Sequence, residues 1–487
     1  MFNSMGSVDI YNELFDKYPS LLGGCIWEWQ DQGIWNRRNK THPIIAFGGG
    51  FGEYPNDHYF IHKGVIFSDR SLKPHYPELK HAYQWVSIKP KDMAKGWITV
   101  KNRYQFTNLQ DFEGTWTLLK NGVAIDSGTW HPGNLPAGEE KQYRLPFKAP
   151  QRGTGDEYLL DVSLLTGKKQ LWADKGFEIA AQQLAVNAPA PPLLTASGAP
   201  RWTATDSNTV HINVKGYTLE FDGRSGTFSR IEKNGLNLLE KDGGPRLHLW
   251  RAPHRKDDIW ADRGWQRYGF RDIRWTVDGD AAVKDSAQAL CISVNLTGTG
   301  KQGFTVHHHA QYMIDNGGSI RAFNHVTFSD PKAVLARLGV RLRLNRALDG
   351  FRYYGRGPME NYSDRKSGSL AGVYSSDVYS QLTPYEKPME AGNHEDVRWA
   401  ILSAGGKPVL RVQQNSTLLQ VSALPYSDED LEQTEYRIDL PPVHETVLCI
   451  SKYTLGVGSN SCGPEPLPPY VVHANTEDFS YVLQLPE

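Results

Sequence analysis

The stretch SVDIYNELFDKYPSLLGGCIWEWQDQG, residues 7–33, decides how the N-terminal part of the chain folds. Its apolar residues, among them Ile10, Leu14 and Tyr18, recur at the spacing of one helical face and predict an amphipathic helix. Pro19 and the glycines that follow end this helix, and CIWEWQ then predicts an apolar strand. Helix, short loop and strand form the repeating unit of α/β folds.

This α/β unit occurs only once in the chain. A complete (β/α)8 barrel needs about 250 residues, whereas only residues 1–70 have this character. The sequence therefore predicts the end of a barrel, with the chain beginning inside it. An isolated barrel helix and strand would expose apolar side chains such as Leu21, Leu22 and Ile26.

Downstream of residue 70, the chain is dominated by short alternating or apolar runs of strand length. In residues 71–187 the run GTWTLLKNGVAIDSGTW contains KNG, a hairpin-turn signal, and the spacing of the runs predicts an immunoglobulin-like sandwich. Residues 188–200, APAPPLLTASGAP, predict an extended linker. Residues 201–487 have almost no helical periodicity and predict one large β-sandwich. The predicted fold class is therefore mainly β, following the end of a (β/α)8 barrel.

The composition excludes several classes of function. Lys and Arg number 53 against 54 Asp and Glu, which argues against nucleic acid or an anionic membrane as the main partner. No apolar run is long enough to cross a bilayer, and the first twenty residues do not resemble a signal peptide. The four cysteines are widely spaced, so they predict reduced thiols in a cytoplasmic protein rather than a zinc site or a disulfide framework.

Glu28 and Asp31 stand among tryptophans and raise the question of whether they are the acids of a glycosidase. On an extended strand, residues i and i+3 point to opposite faces. Retaining glycosidases need two carboxyl groups about 5–5.5 Å apart, so this pair is predicted not to be catalytic. Trp27 at the strand end is better placed as a platform for a sugar face, the alternative being that it packs at the barrel top.

The next loop, FGGGFGEYPNDHYFIHKGVIFSDR (residues 47–70), is rich in glycine and polar residues. Three consecutive glycines allow close approach of the backbone to a ligand. Asn56 and Asp57 follow a proline and could offer oxygens to a hard cation, while Phe60 lies near a candidate ligand wall. A purely structural polar loop is the alternative.

Two further motifs are assigned structural roles. His307 to His309 are adjacent on a predicted strand, so their side chains alternate between faces and form a surface ladder rather than a metal cluster. In GRGPMENYSDR, Glu360, Asp364 and Arg365 are predicted to form an ion-pair network that orders the loop.

These stretches resemble the large β-galactosidases of glycoside hydrolase family 2. YNELFDKYPSLLGGCIWEWQDQG and the loop at 47–70 are similar to the end of that family's catalytic barrel. LWRAPHRKDD, YYGRGPMENYSDR and LGVGSNSCGP are similar to signature stretches of its C-terminal small-chain domain. The resemblance covers the whole chain in order, which is far more specific than any single motif.

The resemblance implies that the catalytic residues lie outside this chain. MFNSMG matches the tail of the segment that carries the family's nucleophilic Glu, with Asn3 and Ser4 on its Asn-Ser. The nucleophile, the acid/base Glu and the main Mg²⁺ ligands would then precede Met1. This chain alone is expected to be inactive and to depend on an N-terminal half or a complementing chain.

Several binding residues carry over by position. Trp27 matches the tryptophan that lines the galactose site, and Asn56 matches an Asn among the magnesium contacts. Phe60 matches the Phe whose carbonyl binds sodium, but Lys63 stands where many members have a sodium-binding Asn. The ammonium of Lys63 is expected to take the place of sodium. Cys462 stands where a Trp completes the substrate platform, and a thiol cannot stack on a glucose ring.

The expected function is part of a retaining β-galactosidase that hydrolyses terminal β-D-galactosides such as lactose. When intact it would be a homo-oligomer. The alternative is a non-catalytic carbohydrate-binding or structural fragment. This alternative is supported by the presence of Trp27 and by the aromatic-rich sandwiches. Family 2 glucuronidases and mannosidases fit less well, because they typically lack the large final β domain.

Overall fold

The computed structural model describes residues 2–38, 41–148, 155–187, 197–205, 208–253, 259–458 and 465–487. Most of the predicted linker, residues 188–196, and Cys462 lie outside the described residues. Within the described residues, no helix has the length and apolar character needed to span a membrane.

The helices and strands follow one another as the sequence predicts for a mainly β chain. In chain order the structure has α1 (Val8–Lys17), β1 (Ile34–Asn36), β2 (Ile44–Ala46), α2 (His75–Ala82), β3 (Val86–Asp92), β4 (Trp97–Asn102), β5 (Phe112–Lys120), β6 (Val123–Trp130), β7 (Glu140–Arg144), β8 (Tyr158–Thr166), β9 (Glu178–Ala185), β10 (Arg201–Ala204), β11 (Thr209–Val214), β12 (Tyr217–Asp222), β13 (Thr227–Lys233), β14 (Leu236–Asn237), β15 (Arg246–His248), α3 (Ile259–Tyr268), β16 (Arg274–Val277), β17 (Ala282–Asp285), β18 (Leu290–Thr299), β19 (Thr305–Ile314), β20 (Ser319–Phe328), β21 (Arg337–Asn345), β22 (Gly350–Gly357), β23 (Leu370–Asp377), β24 (His394–Val397), β25 (Trp399–Ala404), β26 (Lys407–Gln414), β27 (Leu419–Leu424), α4 (Asp428–Gln433), β28 (Glu445–Thr454) and β29 (Glu477–Gln484). The predicted mainly β fold is confirmed.

The N-terminal unit has the predicted helix but not the predicted strand. Helix α1 ends at Lys17, just before Pro19 as predicted, because the residue before a proline is disfavoured in helical conformation. CIWEWQ is not a regular strand: only Gln30 forms a bridge, in parallel with Ile66. A barrel strand is held by neighbours on both sides, and here residues 28–32 pair with one neighbouring segment, so the regular ladder does not form.

Strands β3 to β9 form two antiparallel sheets, ordered β3-β4-β7 and β6-β5-β8-β9. Their inward side chains, among them Val86, Trp116 and Val162, form one hydrophobic core, as expected for an immunoglobulin-like sandwich. The KNG turn is present: Asn121 and Gly122 both have positive φ, 49° and 79°. That conformation suits the two-residue turn that matches strand twist.

The C-terminal block contains three antiparallel sheets. Strands β10 to β14 follow one another in the first; the second has the order β15-β21-β28-β27-β24. The largest runs β16-β18-β19-β20-β29-β26-β25-β22-β23, with β17 added on β18. Buried residues of all three sheets, such as Phe221, Leu342 and Tyr481, belong to one hydrophobic core. Each sheet of the protein lies within one of the predicted domains, whose exact limits stay predictions.

Strand β19 places its three histidines as predicted. His308 is buried and hydrogen-bonded to Asn324 (2.9 Å), whereas His307 and His309 are exposed on the opposite face. The predicted alternation of the side chains is therefore confirmed, but only His307 and His309 lie at the surface, because His308 is buried.

Candidate functional site

The candidate site lies where residues 28–32 run beside residues 61–66. The backbone N–H of Glu28 donates to the Lys63 carbonyl (3.2 Å), and the N–H of Val65 donates to the Glu28 carbonyl (3.1 Å). A Cβ on Gly64 would lie 2.2 Å from the Asp31 nitrogen, so only glycine permits this approach. The pairing brings Trp27 and Lys63, 36 positions apart in sequence, to the same place.

Asp31 is a buried structural anion in this arrangement. Its Oδ1 accepts hydrogen bonds from the Lys73 ammonium and the Gly64 N–H, both at 2.7 Å. His62 Nδ1 lies 3.3 Å from Oδ2. Burial by itself raises the pKa of Asp31, but Lys73 and His62 outweigh it and hold the pKa below the usual range. A carboxylate held ionised in this way cannot serve as a general acid near neutral pH.

Glu28 has different surroundings. Its Oε2 accepts a hydrogen bond from Gln32 Nε2 (2.8 Å), and its Oε1 is buried without a hydrogen-bond partner among the described residues. Among the described residues, the Glu28 and Asp31 carboxylates have different hydrogen-bond partners. That they are not a catalytic pair stays a prediction.

Trp27, Phe60 and Lys63 come together at the surface. The Lys63 Nζ lies 4.6 Å from the Phe60 ring centroid and 5.7 Å from that of Trp27. Both distances are within the range of cation–π attraction. Trp27 is 78% exposed, which is unusual for so large an apolar side chain. The cluster therefore presents an open aromatic face with a fixed positive charge beside it.

Asn56 closes the glycine-rich loop. Its Nδ2 donates to the Glu53 carbonyl (2.9 Å), and its Oδ1 accepts from the His58 N–H (3.0 Å). The Glu53 carboxylate in turn accepts from its own backbone N–H and from the N–H groups of Gly49 and Phe51, and these hydrogen bonds lower its pKa. Mg²⁺ usually takes one or two carboxylates besides water and substrate oxygens. Asn56 is an amide and does not meet that requirement by itself, and its Oδ1 already accepts the His58 N–H.

The chain start is built into the C-terminal sandwich. The buried Asn3 amide donates to the Tyr362 hydroxyl (3.0 Å) and the Glu390 carbonyl (2.9 Å). The Ser4 carbonyl accepts from Arg365 Nη1 (2.6 Å). Residues 2–9 are therefore mostly buried, unlike Leu22 farther along, which is fully exposed.

The predicted ion-pair network around GRGPMENYSDR is present in part: Glu360 pairs with Arg365, whereas Asp364 accepts hydrogen bonds from backbone N–H groups. The Glu360 carboxylate accepts from the hydroxyls of Tyr385 and Thr383, both at 2.8 Å, and lies 3.4 Å from Arg365. Asp364 accepts from the N–H groups of Val457 and Gly458 (2.9 and 2.7 Å). These contacts order the loop that receives the chain start.

Three residues of the site were missed at the level of sequence. Lys73 and His62 hold Asp31, and His75 Nε2 accepts from the Ser4 N–H at 3.3 Å. No sequence motif marks these three residues, and each is recognised only by the contacts that it makes in the structure.

Comparison with known families agrees with this geometry. Residues 1–88 match the glycosyl hydrolases family 2 TIM barrel domain. Residues 98–187 match β-galactosidase domain 4, and residues 213–485 match the β-galactosidase small chain. The last match alone covers more than half of the chain. The fold and the order of domains define a member of glycoside hydrolase family 2, and within it this chain belongs to the β-galactosidase family.

Named relatives match over nearly the whole chain. A β-galactosidase of Priestia megaterium is 31% identical over 98% of this chain and 46% of its own length. One of Psychromonas ingrahamii is 28% identical over 94% of this chain and 45% of its own length. The chain thus spans about half the length of the curated relatives it matches. Among solved structures, a putative aldose 1-epimerase from Escherichia coli K12 aligns with 57% of this chain and 98% of its own, at 7% identity and a TM-score of 0.31.

Proposed function

We propose that this chain is the part of a retaining β-galactosidase that completes the catalytic barrel and carries the C-terminal β domains. The observation that carries the proposal is the collinear match to three consecutive domains of that family. The intact enzyme hydrolyses terminal β-D-galactosides such as lactose. A nucleophilic Glu forms a galactosyl-enzyme, and a second Glu acts first as acid and then as base; both are supplied by the other part of the barrel.

Exposed apolar side chains support the need for a barrel partner. Leu14, Tyr18, Leu21 and Leu22 are 39%, 45%, 44% and 102% exposed. All lie within 25 residues of the chain start, in the unit that resembles the barrel end. Apolar surface concentrated in this way marks an interaction site. The proposed occupant is the remaining α/β part of the barrel.

Within the proposed site, Trp27 supports a sugar face and Lys63 provides the local positive charge. Aromatic rings offer a large apolar surface to the C–H face of a sugar. The ammonium stands beside Phe60, so a sodium ion in the same place would be repelled, and the residues present do not fit sodium. Asn56 would contribute one oxygen to Mg²⁺ whose other ligands come from the partner segment. Cys462 is proposed to alter the outer edge of the platform.

The test joins this chain to the N-terminal half of the Priestia megaterium β-galactosidase and assays a chromogenic β-galactoside with Mg²⁺. We expect the isolated chain to be inactive and the joined protein to be active. The matched control is the same N-terminal half with its own C-terminal half. If the joined protein folds but is inactive while the control is active, the proposal is refuted. If that protein still binds galactose through Trp27, the non-catalytic alternative is supported.

Variants of the joined protein test the proposed roles of Trp27 and Lys63. Trp27→Ala should lower kcat/KM at least about tenfold, which corresponds to about 1.4 kcal/mol. Trp172→Ala, at a tryptophan that is 66% exposed on the immunoglobulin-like sandwich, should have no effect. Activity should not depend on Na⁺, whereas Lys63→Asn should create a dependence. Sodium dependence of the unaltered protein would contradict the role of Lys63.

Two further properties belong to the proposal. The intact enzyme is proposed to be a homo-oligomer, which mass photometry of the joined protein tests. A cytoplasmic location is supported by Cys25, Cys291 and Cys449, which are free thiols, since disulfides are rare in reducing compartments.

A further inference from the structure

We propose that Asp430, His444 and Glu445 bind a divalent transition metal, with Zn²⁺ as the reference ion, on the large C-terminal sandwich. Each residue offers one ligand atom, and these three atoms all lie within 4.8 Å of one another. Asp430 belongs to α4, whereas Glu445 is the first residue of β28 and His444 directly precedes it. The cluster is therefore formed by the fold and not by sequence proximity alone.

Each of the three side chains is oriented by a second contact that leaves its other atom available. His444 Nδ1 donates to the Pro442 carbonyl (3.4 Å), which directs Nε2 toward Glu445 Oε1 at 3.8 Å. Glu445 Oε2 accepts from Arg343 Nε (2.7 Å). Supporting hydrogen bonds of this kind fix the tautomer and direction of metal-binding side chains.

Asp430 is held in the same manner by a helix cap. Its Oδ2 accepts from the Ser427 N–H (3.1 Å) and hydroxyl (2.8 Å), forming a capping box at the start of α4. Oδ1 has no hydrogen bond from another described residue. One imidazole nitrogen and two carboxylate oxygens form a donor set that Zn²⁺ accepts, with a fourth position for water. His444 is 52% exposed and Glu445 only 1%, so the ion would enter from the solvent side.

A second cluster, His248, Asp428 and Cys449, also brings three ligand types together but is accounted for by ion pairs. Asp428 lies 3.8 Å from both Arg337 and Arg341. Burial raises the pKa of the Cys449 thiol to about 11. Two guanidinium groups and a protonated thiol disfavour a cation there, whereas at the proposed site the ion pairs of the described residues include a single guanidinium, that of Arg343.

A bound metal would brace the loop between α4 and β28. This loop carries Tyr436, whose ring stacks on Phe47 with centroids 4.3 Å apart and an interplanar angle of 14°. Phe47 directly precedes the three glycines of the loop that Asn56 closes. The metal would thus stabilise a contact between the C-terminal sandwich and the barrel end, without touching the sugar site.

The test is isothermal titration of the chelator-treated full chain with ZnCl₂ at pH 7.5. We expect one saturable site, weakened at least about tenfold in His444→Ala and in Asp430→Asn, since each removes a ligand. The matched control is His325→Ala, because His325 is also exposed and pairs with a carboxylate, Asp478, at 2.7 Å. That variant should bind as the parent does.

Three outcomes would overturn the proposal: no saturable binding, equal binding by His444→Ala and the parent, or loss of binding in His325→Ala. The second outcome would leave His444 and Glu445 as a simple ion pair. Circular dichroism of each metal-free variant checks folding, and His444→Ala alters a side chain that is 52% exposed.

Discussion

Removing the Lys73 ammonium tests how the barrel end is held together. In Lys73→Met, the Asp31 carboxylate would keep the Gly64 N–H and the His62 ring but lose its ammonium partner at 2.7 Å. The side chains of Lys73 and Asp31 are only 0% and 2% exposed, so water cannot replace the lost contact. Breaking a buried pair on one side costs about 3–5 kcal/mol. We expect the pairing of residues 28–32 with 61–66 to weaken by that amount.

A surface pair provides the matched control. Lys168 and Asp111 are 2.8 Å apart, and their side chains are 63% and 54% exposed. Such pairs contribute about 0–1 kcal/mol, so Lys168→Met should change little. The double variant Asp31→Asn/Lys73→Met removes both charges and should recover part of the loss.

Native-state hydrogen exchange is the suitable assay, because a chain with several packed units need not unfold in one step. The amides of Val65 and Ile66, which donate to the Glu28 and Trp29 carbonyls, report the pairing directly. Their protection should fall by about 3–5 kcal/mol in Lys73→Met, or be lost if the segment is less stable than that. Equal protection in Lys73→Met and Lys168→Met would refute the reasoning.

Three further perturbations have defined outcomes. Gly64→Ala should abolish the protection of the same amides, because its Cβ would meet backbone at 2.2 Å; Gly264→Ala, with no atom within 4 Å, should not. Asn3→Ala should lower the hydrogen-exchange protection of the Phe2 amide, which donates to the His62 carbonyl, by about 1–3 kcal/mol, since two buried acceptors lose their donor. Unchanged protection would mean that Asn3 does not hold this segment in place. Burial raises the pKa of Glu78 to about 7 from 4.5, so its stabilising, protonated form is lost as pH rises through 7. The free energy of opening measured by hydrogen exchange should therefore fall less between pH 5 and 8 in Glu78→Gln than in the parent. Parallel curves of this free energy against pH would contradict the prediction.

The sequence by itself determined the β character of most of the chain and the order of its parts. Alternation in stretches such as β18 to β20 and the KNG turn at Asn121 and Gly122 are local signals, because side-chain period and turn conformation depend on neighbours in sequence. The family motifs are also contiguous in sequence, so the sequence was sufficient to assign the chain to the β-galactosidases.

Only the tertiary structure decided how distant residues meet. CIWEWQ follows an irregular path that its sequence does not predict. The hydrogen bonds of Lys73 to Asp31 and of Asn3 to Glu390 each join segments far apart in sequence. The same holds for Asp430 beside His444. Such contacts depend on the path of the whole chain and on which polar groups are buried next to each other. A local sequence pattern contains neither kind of information.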